Sequence, residues 1–296
     1  MKNSINQSIV FEGISFTIKR EDMLHPEISG NKYRKLKYNL VEAKKQQHKT
    51  VLTFGGAFSN HIAATAAAGR DHGLKTVGVI RGEELATKIA SNHTLSYAQQ
   101  CGMELVFVSR EAYRQKNNAE FVAQLQQQYG PFYCIPEGGT NALAIKGCEE
   151  ILTASDGAFN TICTSVGTGG TISGLINSAK AHQKILGFSA LKGDFLNEEI
   201  KKYAIRKNWQ LVTDYHFGGY GKIKPELITF INQFKEQTGI PLDPIYTGKM
   251  CYGVVEMFKL NMLEPGHNVL LIHTGGLQGI TGINEKLKRR NSPLIA

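Results

Sequence analysis

Hydrophobic and polar positions along this chain switch repeatedly between a strand-like and a helix-like period. Residues 50–56, TVLTFGG, are an apolar, β-branched run ending in glycines. Residues 59–73, SNHIAATAAAGRDHG, are alanine-rich, open on Ser and Asn and close on Gly73, as a capped helix does. Strand patterns follow at 75–82 and 103–110, helix patterns at 92–102 and 119–130, and an extended run at 131–139. The second half repeats the scheme. Strand patterns FNTICTSVGTGG, KILGFSAL and HNVLLIHTGG alternate with helix patterns TISGLINSAKAHQ, LITFINQFKEQTG and MCYGVVEMFKLNM. This order predicts an α/β fold of parallel sheets with flanking helices. The stretch 192–226 is the least periodic and reads as loop. No internal repeat or low-complexity tract interrupts the pattern.

Three strand patterns end in Gly-Gly, at 55–56, 169–170 and 275–276. A parallel sheet binds its ligand just past the carboxyl ends of its strands. Gly167-Thr168-Gly169-Gly170-Thr171 joins a strand to a helix, with glycines that admit close approach and two hydroxyl donors. The helix start behind it favours an anion, so the loop suits a phosphate; the plainer reading is a tight turn. Ile172 breaks the dinucleotide fingerprint, and no Gly-Lys-Ser/Thr makes it a P-loop. Ser59, Asn60 and His61 start the alanine-rich helix, either as simple caps or as a carboxylate site. Thr274 falls at the carboxyl edge of the last strand or in an ordinary turn.

The segment HPEISGNKYRKLKYNL, 25–40, places Lys32 directly after Gly30-Asn31. Arg34, Lys35 and Lys37 read as a solvated helix face, with Lys32 turned inward. A lysine at a helix start after Gly-Asn, together with a phosphate cup of neither nucleotide type, suggests pyridoxal 5'-phosphate, which needs a Schiff-base lysine, a phosphate cradle and a partner for its pyridine nitrogen.

Taken together with PEGGTNALAIKG (136–147), DPIYTGKMCYG (243–253), GGAFSNH, VGTGGTISGL and LLIHTGG, the chain resembles the fold-type-II pyridoxal-phosphate enzymes, in the branch of 1-aminocyclopropane-1-carboxylate deaminase and D-cysteine desulfhydrase. The resemblance covers nearly the whole chain. It implies a tryptophan-synthase-β-like fold, with a large domain of residues 1–45 and 146–296, a small one of 46–145 inserted in it, and the cofactor between them. It also implies roles. Lys32 would carry the cofactor and move the Cα proton. Asn60 would bind the cofactor's 3-oxygen, Gly167 to Thr171 its phosphate, and Thr274 would face the pyridine nitrogen. Ser59, Asn60 and His61 would bind the substrate, Ser59 at its carboxylate. Tyr246 and Tyr220 would be active-site phenols. Thr247 stands where the deaminases carry Glu, which points to D-cysteine and to β-elimination yielding pyruvate, sulfide and ammonia. A glutamate at 247 would bring a carboxylate near the cofactor ring. Opening of the cyclopropane amino acid is the alternative. Ser29 departs from a glycine common before the lysine motif, and the chain is shorter than typical members around 190–225. A homodimer is implied.

Composition narrows the rest. Hydrophobic residues make up 42% of 296, enough for a substantial core. The five cysteines form no C-x-x-C motif, so no zinc knuckle is expected and no other metal site suggests itself. With no secretion signal or membrane span read, a cytoplasmic protein with reduced thiols is expected. The net charge of +9 admits a nucleic-acid-binding alternative, but the basic runs are mixed with Glu and lack interleaved aromatics. No nucleic-acid partner is therefore expected; a basic surface also concentrates anionic substrates.

Overall fold

The computed structural model describes residues 4–28, 30–263 and 268–296; Ser29 lies outside them. The chain opens with a hairpin, β1 (Asn6–Phe11) and β2 (Ile14–Lys19), followed by α1 (Asn31–Lys45). Then come β3 (Thr50–Gly55), α2 (Asn60–His72), β4 (Lys75–Arg81), α3 (His93–Gln100), β5 (Met103–Val108), α4 (Arg110–Arg114), α5 (Ala119–Tyr129) and β6 (Tyr133–Ile135). The second half runs through α6 (Ala142–Glu149), β7 (Thr161–Val166), α7 (Gly170–Ser178), β8 (Lys184–Ser189), α8 (Leu196–Lys201), β9 (Trp209–Val212), α9 (Pro225–Thr238), α10 (Thr247–Lys259), β10 (Val269–Ile272) and α11 (Gly279–Lys288).

These strands form two sheets. One has the order β5-β4-β3-β6 and is parallel throughout. The other has the order β1-β2-β10-β7-β8-β9 and is parallel except for the hairpin at its edge. The hairpin turns at Glu12-Gly13, both at positive φ, the twist that suits a tight two-residue turn. The run 192–226 is more ordered than its sequence suggests. It holds α8, whose Leu196 and Ile200 face inward, and β9, a four-residue edge strand too short to show a period.

Each sheet is covered on both faces, which explains its continuous apolar strands. In the six-stranded sheet, Phe11, Phe188, Leu271, Phe234 and Val254 pack on one side, and Ile162, Ile172, Ile185 and Leu270 on the other. In the smaller sheet, α2 lays an almost bare alanine surface against β3 and β4, so helix and sheet approach closely. Ser59 caps α2 by accepting from the Ile62 N–H, and Gly73 ends it in the left-handed conformation.

Helix α1 departs from expectation. Arg34 and Lys35 are buried, and only Lys37 of the three expected surface cations is substantially accessible. Arg34 makes a two-pronged ion pair with the buried Glu21, at 2.9 and 3.0 Å. The helix is wedged against α6, where the Arg34 carbonyl sits over Gly147 and leaves no room for a methyl group.

Candidate active site

The carboxyl ends of β3, β7 and β10 converge with the start of α1 on one cavity. Its inner part measures ≈ 70 Å³ and opens into an outer cleft of ≈ 650 Å³; Ser59, Gly138, Gly167, Thr168, Tyr220 and Tyr246 line both. Every residue proposed for the site from sequence lines the inner part: Lys32, Ser59, Asn60, His61, Gly167 to Thr171, Tyr220, Tyr246 and Thr274.

The turn before Lys32 is built for that direction. Gly30 has φ +58°, and a methyl group there would overlap the Thr274 carbonyl. The Asn31 amide donates to that carbonyl at 3.3 Å, and its side chain donates to Thr171 Oγ1 at 2.8 Å. The first turn of α1 is thereby pinned between the end of β10 and the glycine loop, and Lys32 projects between them. Burial pushes the Lys32 ammonium down to about 7, and the Lys35 charge pushes the same way. A fraction of Lys32 is then a neutral amine at neutral pH, the form that attacks an aldehyde. Gly30→Ala is expected to destabilise the protein by at least about 2 kcal/mol, through strain and overpacking combined. Thermal unfolding checks this; a variant as stable as the parent would mean that α1 can move off β10 freely.

The glycine loop is a cup with hydroxyls and a cation. Gly169, in the left-handed conformation, leads into α7, whose first-turn amides have no acceptor within the helix. Thr168 Oγ1 lies 2.6 Å from Thr140 Oγ1. Lys35 Nζ donates to Thr140 Oγ1 and to the Gly138 carbonyl, both at 3.0 Å, and lies 3.4 Å from Thr168 Oγ1. A methyl group on Gly170 would sit 3.1 Å from Lys35 Nζ, so glycine there keeps the cup open around the cation. Among the described residues Lys35 has only neutral partners, and burial lowers its pKa. A phosphate in the cup would supply the missing negative charge. Lys35 and Thr140 are the main members of the site that sequence patterning missed, although both lie inside recognisable motifs.

The remaining groups are held in readiness. Asn60 accepts from Gln278 Nε2 at 3.0 Å, which fixes its amide and leaves its NH₂ to donate. Ser59 spends its oxygen as a cap and keeps its hydroxyl proton for a ligand. Thr274 Oγ1 lies 3.3 Å from Ser165 Oγ, and no carboxylate lines the inner cavity among the described residues. His61 is buried and kept neutral by burial and by the Lys32 and Lys35 charges. Thr53 Oγ1 donates to the Ile135 carbonyl, so His61 Nε2 must donate to Thr53. His61 Nδ1, beside Gly139, is left as an unpartnered acceptor, which offers a carboxylate nothing directly.

The two phenols meet edge to face, with ring centroids 6.2 Å apart, and burial raises the pKa of both. Each is anchored by a group that sequence analysis gave no role. Asp243 accepts from the N–H groups of Ile245 and Tyr246 and from both N–H and Oγ1 of Thr247, which fixes Tyr246 at the start of α10. Lys249 donates to the carbonyls of His216 and Gly219, both at 2.8 Å, and so holds the turn that presents Tyr220. Thr247 itself points at Asp243 and does not line the inner cavity.

An inward lysine, a phosphate cup with its own cation and a hydroxyl at a strand end fit pyridoxal phosphate in every part, and they define a pyridoxal-phosphate enzyme of the α/β class. The family described as "Pyridoxal-phosphate dependent enzyme" matches residues 9–275, and the chain belongs to it. A Thermotoga maritima protein described as a candidate 1-aminocyclopropane-1-carboxylate deaminase is 35% identical over 93% of each chain. A mitochondrial protein of Arabidopsis thaliana, described as a bifunctional D-cysteine desulfhydrase/1-aminocyclopropane-1-carboxylate deaminase, is 31% identical over 90% of this chain and 74% of its own. The crystal structure of a 1-aminocyclopropane-1-carboxylate deaminase homologue superposes with a TM-score of 0.84 at 28% identity, covering 98% of this chain and 94% of that one. The protein is therefore a pyridoxal-phosphate-dependent lyase or deaminase, and its cofactor is pyridoxal phosphate. Among the described residues no helix is long and apolar enough to cross a membrane.

Proposed function

We propose that the protein eliminates a leaving group from Cβ of a small D-amino acid, with D-cysteine the first candidate and pyruvate, sulfide and ammonia the products. The observation that carries this reading is the carboxylate-free lining of the inner cavity, where the hydroxyl of Thr274, just past β10, lies beside that of Ser165 near the end of β7. When bound, pyridoxal phosphate supplies an electron sink for the substrate's Cα carbanion. Thr274 would offer the ring nitrogen a hydroxyl, which would not hold that nitrogen protonated, so the sink would be shallow and early departure of a Cβ group favoured over transamination. In this reading Lys32 tethers the cofactor and, once displaced by substrate, takes the Cα proton. The cup of 167–171 with Lys35 holds the phosphate, Asn60 donates to the 3-oxygen, and Ser59 donates to the substrate carboxylate. Thiolate is a good leaving group and asks little of Tyr246 or Tyr220.

Opening of 1-aminocyclopropane-1-carboxylate is the second reading. It is supported by the relatives' descriptions and by the paired phenols, which are neutral acids able to assist ring opening. A keto-acid assay separates the two, since D-cysteine yields pyruvate and the cyclopropane substrate yields 2-oxobutanoate. D-cysteine is expected to be turned over at least about tenfold faster than L-cysteine, a barrier difference of about 1.4 kcal/mol. L-cysteine turned over as fast would overturn the handedness, and 2-oxobutanoate formation without pyruvate would favour the second reading. Lys35→Met is expected to weaken cofactor binding about 10- to 100-fold, as loss of a charge-assisted hydrogen bond does. Equilibrium dialysis measures it, and unchanged affinity would place the phosphate elsewhere.

A further inference from the structure

We propose that the outer cleft is a subsite for a carboxylate carried on the substrate's leaving group, with Arg81 as the residue that selects it. The inference rests on the β-elimination reading and extends it from cysteine to S-substituted cysteines bearing an acidic tail. A sulfhydryl does not need a cleft of ≈ 650 Å³ beside the inner cavity. The charges that line this cleft are unevenly satisfied. Glu137 accepts from the Tyr113 hydroxyl at 2.8 Å and pairs with Lys116 at 3.4 Å, while Glu199 pairs with Lys202 at 2.6 Å. Arg81, the last residue of β4, has no carboxylate or hydrogen-bond acceptor among the described residues. Its guanidinium lies over the Tyr113 ring at 5.8 Å, and a methyl group on Gly56 would lie 3.9 Å from its Nη2. Gly56 is three residues before Ser59, so the free cation borders the place where the substrate carboxylate is expected. The same cleft is lined by Leu191, Phe195 and Leu196, with Phe195 half-exposed. One free guanidinium in a cleft that also offers apolar side chains fits a short aliphatic thioether that ends in a carboxylate.

For S-carboxymethylcysteine, Lys32 takes the Cα proton and the electron pair forms the Cα–Cβ double bond. The Cβ–S bond breaks, and thioglycolate leaves as the thiolate with its electron pair. Water hydrolyses the released enamine, through its imine tautomer, to pyruvate and ammonium. S-carbamoylmethylcysteine is the neutral isostere and undergoes the same bond changes. The test compares the two compounds, in D and L forms, on the cofactor-loaded enzyme and on its Arg81→Gln and Arg81→Lys variants. Both turnover and half-saturation of the cofactor's absorbance change are measured. The parent enzyme should prefer the carboxylate about tenfold, in KM rather than kcat. Arg81→Gln should bring that ratio to about one, and Arg81→Lys should restore part of it. A ratio near one in the parent overturns the proposal. So does an equal loss for both compounds in Arg81→Gln, which would assign Arg81 to the α-carboxylate. The absorbance titration gives the ratio even if no thiol is released, so failure of the elimination reading and failure of the subsite are told apart.

Discussion

Lys32→Ala should leave a folded protein that binds pyridoxal phosphate weakly, lacks the visible absorbance of a lysine-bound cofactor, and turns over its substrate slower by about 10³-fold or more. The fold should survive because Lys32 is not a structural cation. Among the described residues it makes one long hydrogen bond, 3.4 Å to Asn31, and its charge is disfavoured by burial and by Lys35. Removing it relieves that repulsion, so the cofactor-free variant should melt no lower than the parent. The depressed pKa carries a sign that can be checked in the parent protein. The neutral amine captures the cofactor, so capture by cofactor-free protein should quicken as pH rises through about 7 and slow below it. Absorbance-detected reconstitution from pH 6 to 8 measures this. A rate that does not change with pH would mean that Lys32 deprotonation does not limit capture.

The second large effect falls on stability. Thr247→Glu places a carboxylate where a buried Oγ1 bonds both the N–H and the carboxylate of Asp243, at 2.9 and 2.8 Å. Asp243 is itself buried, and burial raises its pKa despite its hydrogen bonds. Two carboxylates cannot share that space without loss. A cost of about 3–5 kcal/mol is expected, as for an uncompensated buried charge, or a fall in Tm of roughly 10 °C. Activity should fall with it, because Asp243 positions Tyr246. If Thr247→Glu melted like the parent while D-cysteine turnover alone declined, the side chain would have to reach the cofactor ring directly.

That revision of Thr247 shows where sequence reading stops. The parallel α/β architecture, the capped alanine helix and the strand–glycine-loop–helix turn at 167–171 were legible because each depends on local rules: glycine conformations, helix caps and apolar runs. The direction of Lys32 was legible only when the Gly30-Asn31 turn was read together with the glycine loop. Lys35 and Arg34 were misread as surface cations because their burial depends on partners outside their own helix. Thr140, Thr168 and Gly138 meet Lys35 from segments more than 100 residues away, and Glu21 meets Arg34 from the preceding segment. A helical period records which face a residue occupies, not whether that face meets solvent or a glycine of another helix. The hairpin β1–β2 was not read from the sequence; its edge strand buries little more than Ile9 and Phe11. Asp243 and Lys249 lay in a recognisable motif, but only the folded chain shows that they bond the backbone that carries the two phenols.

The central claim is that Lys32, and not its fellow inner-cavity lysine Lys35 or the nearby buried Lys249, is the one that holds the cofactor. Lys35 is bound to Thr140 and the Gly138 carbonyl beside the glycine loop, and Lys249 is bound to two carbonyls. Borohydride reduction of the cofactor-loaded protein followed by peptide mapping tests this most directly. The account predicts the pyridoxyl group on Lys32 alone; a pyridoxyl group on Lys35 or Lys249, with Lys32 unmodified, would contradict it.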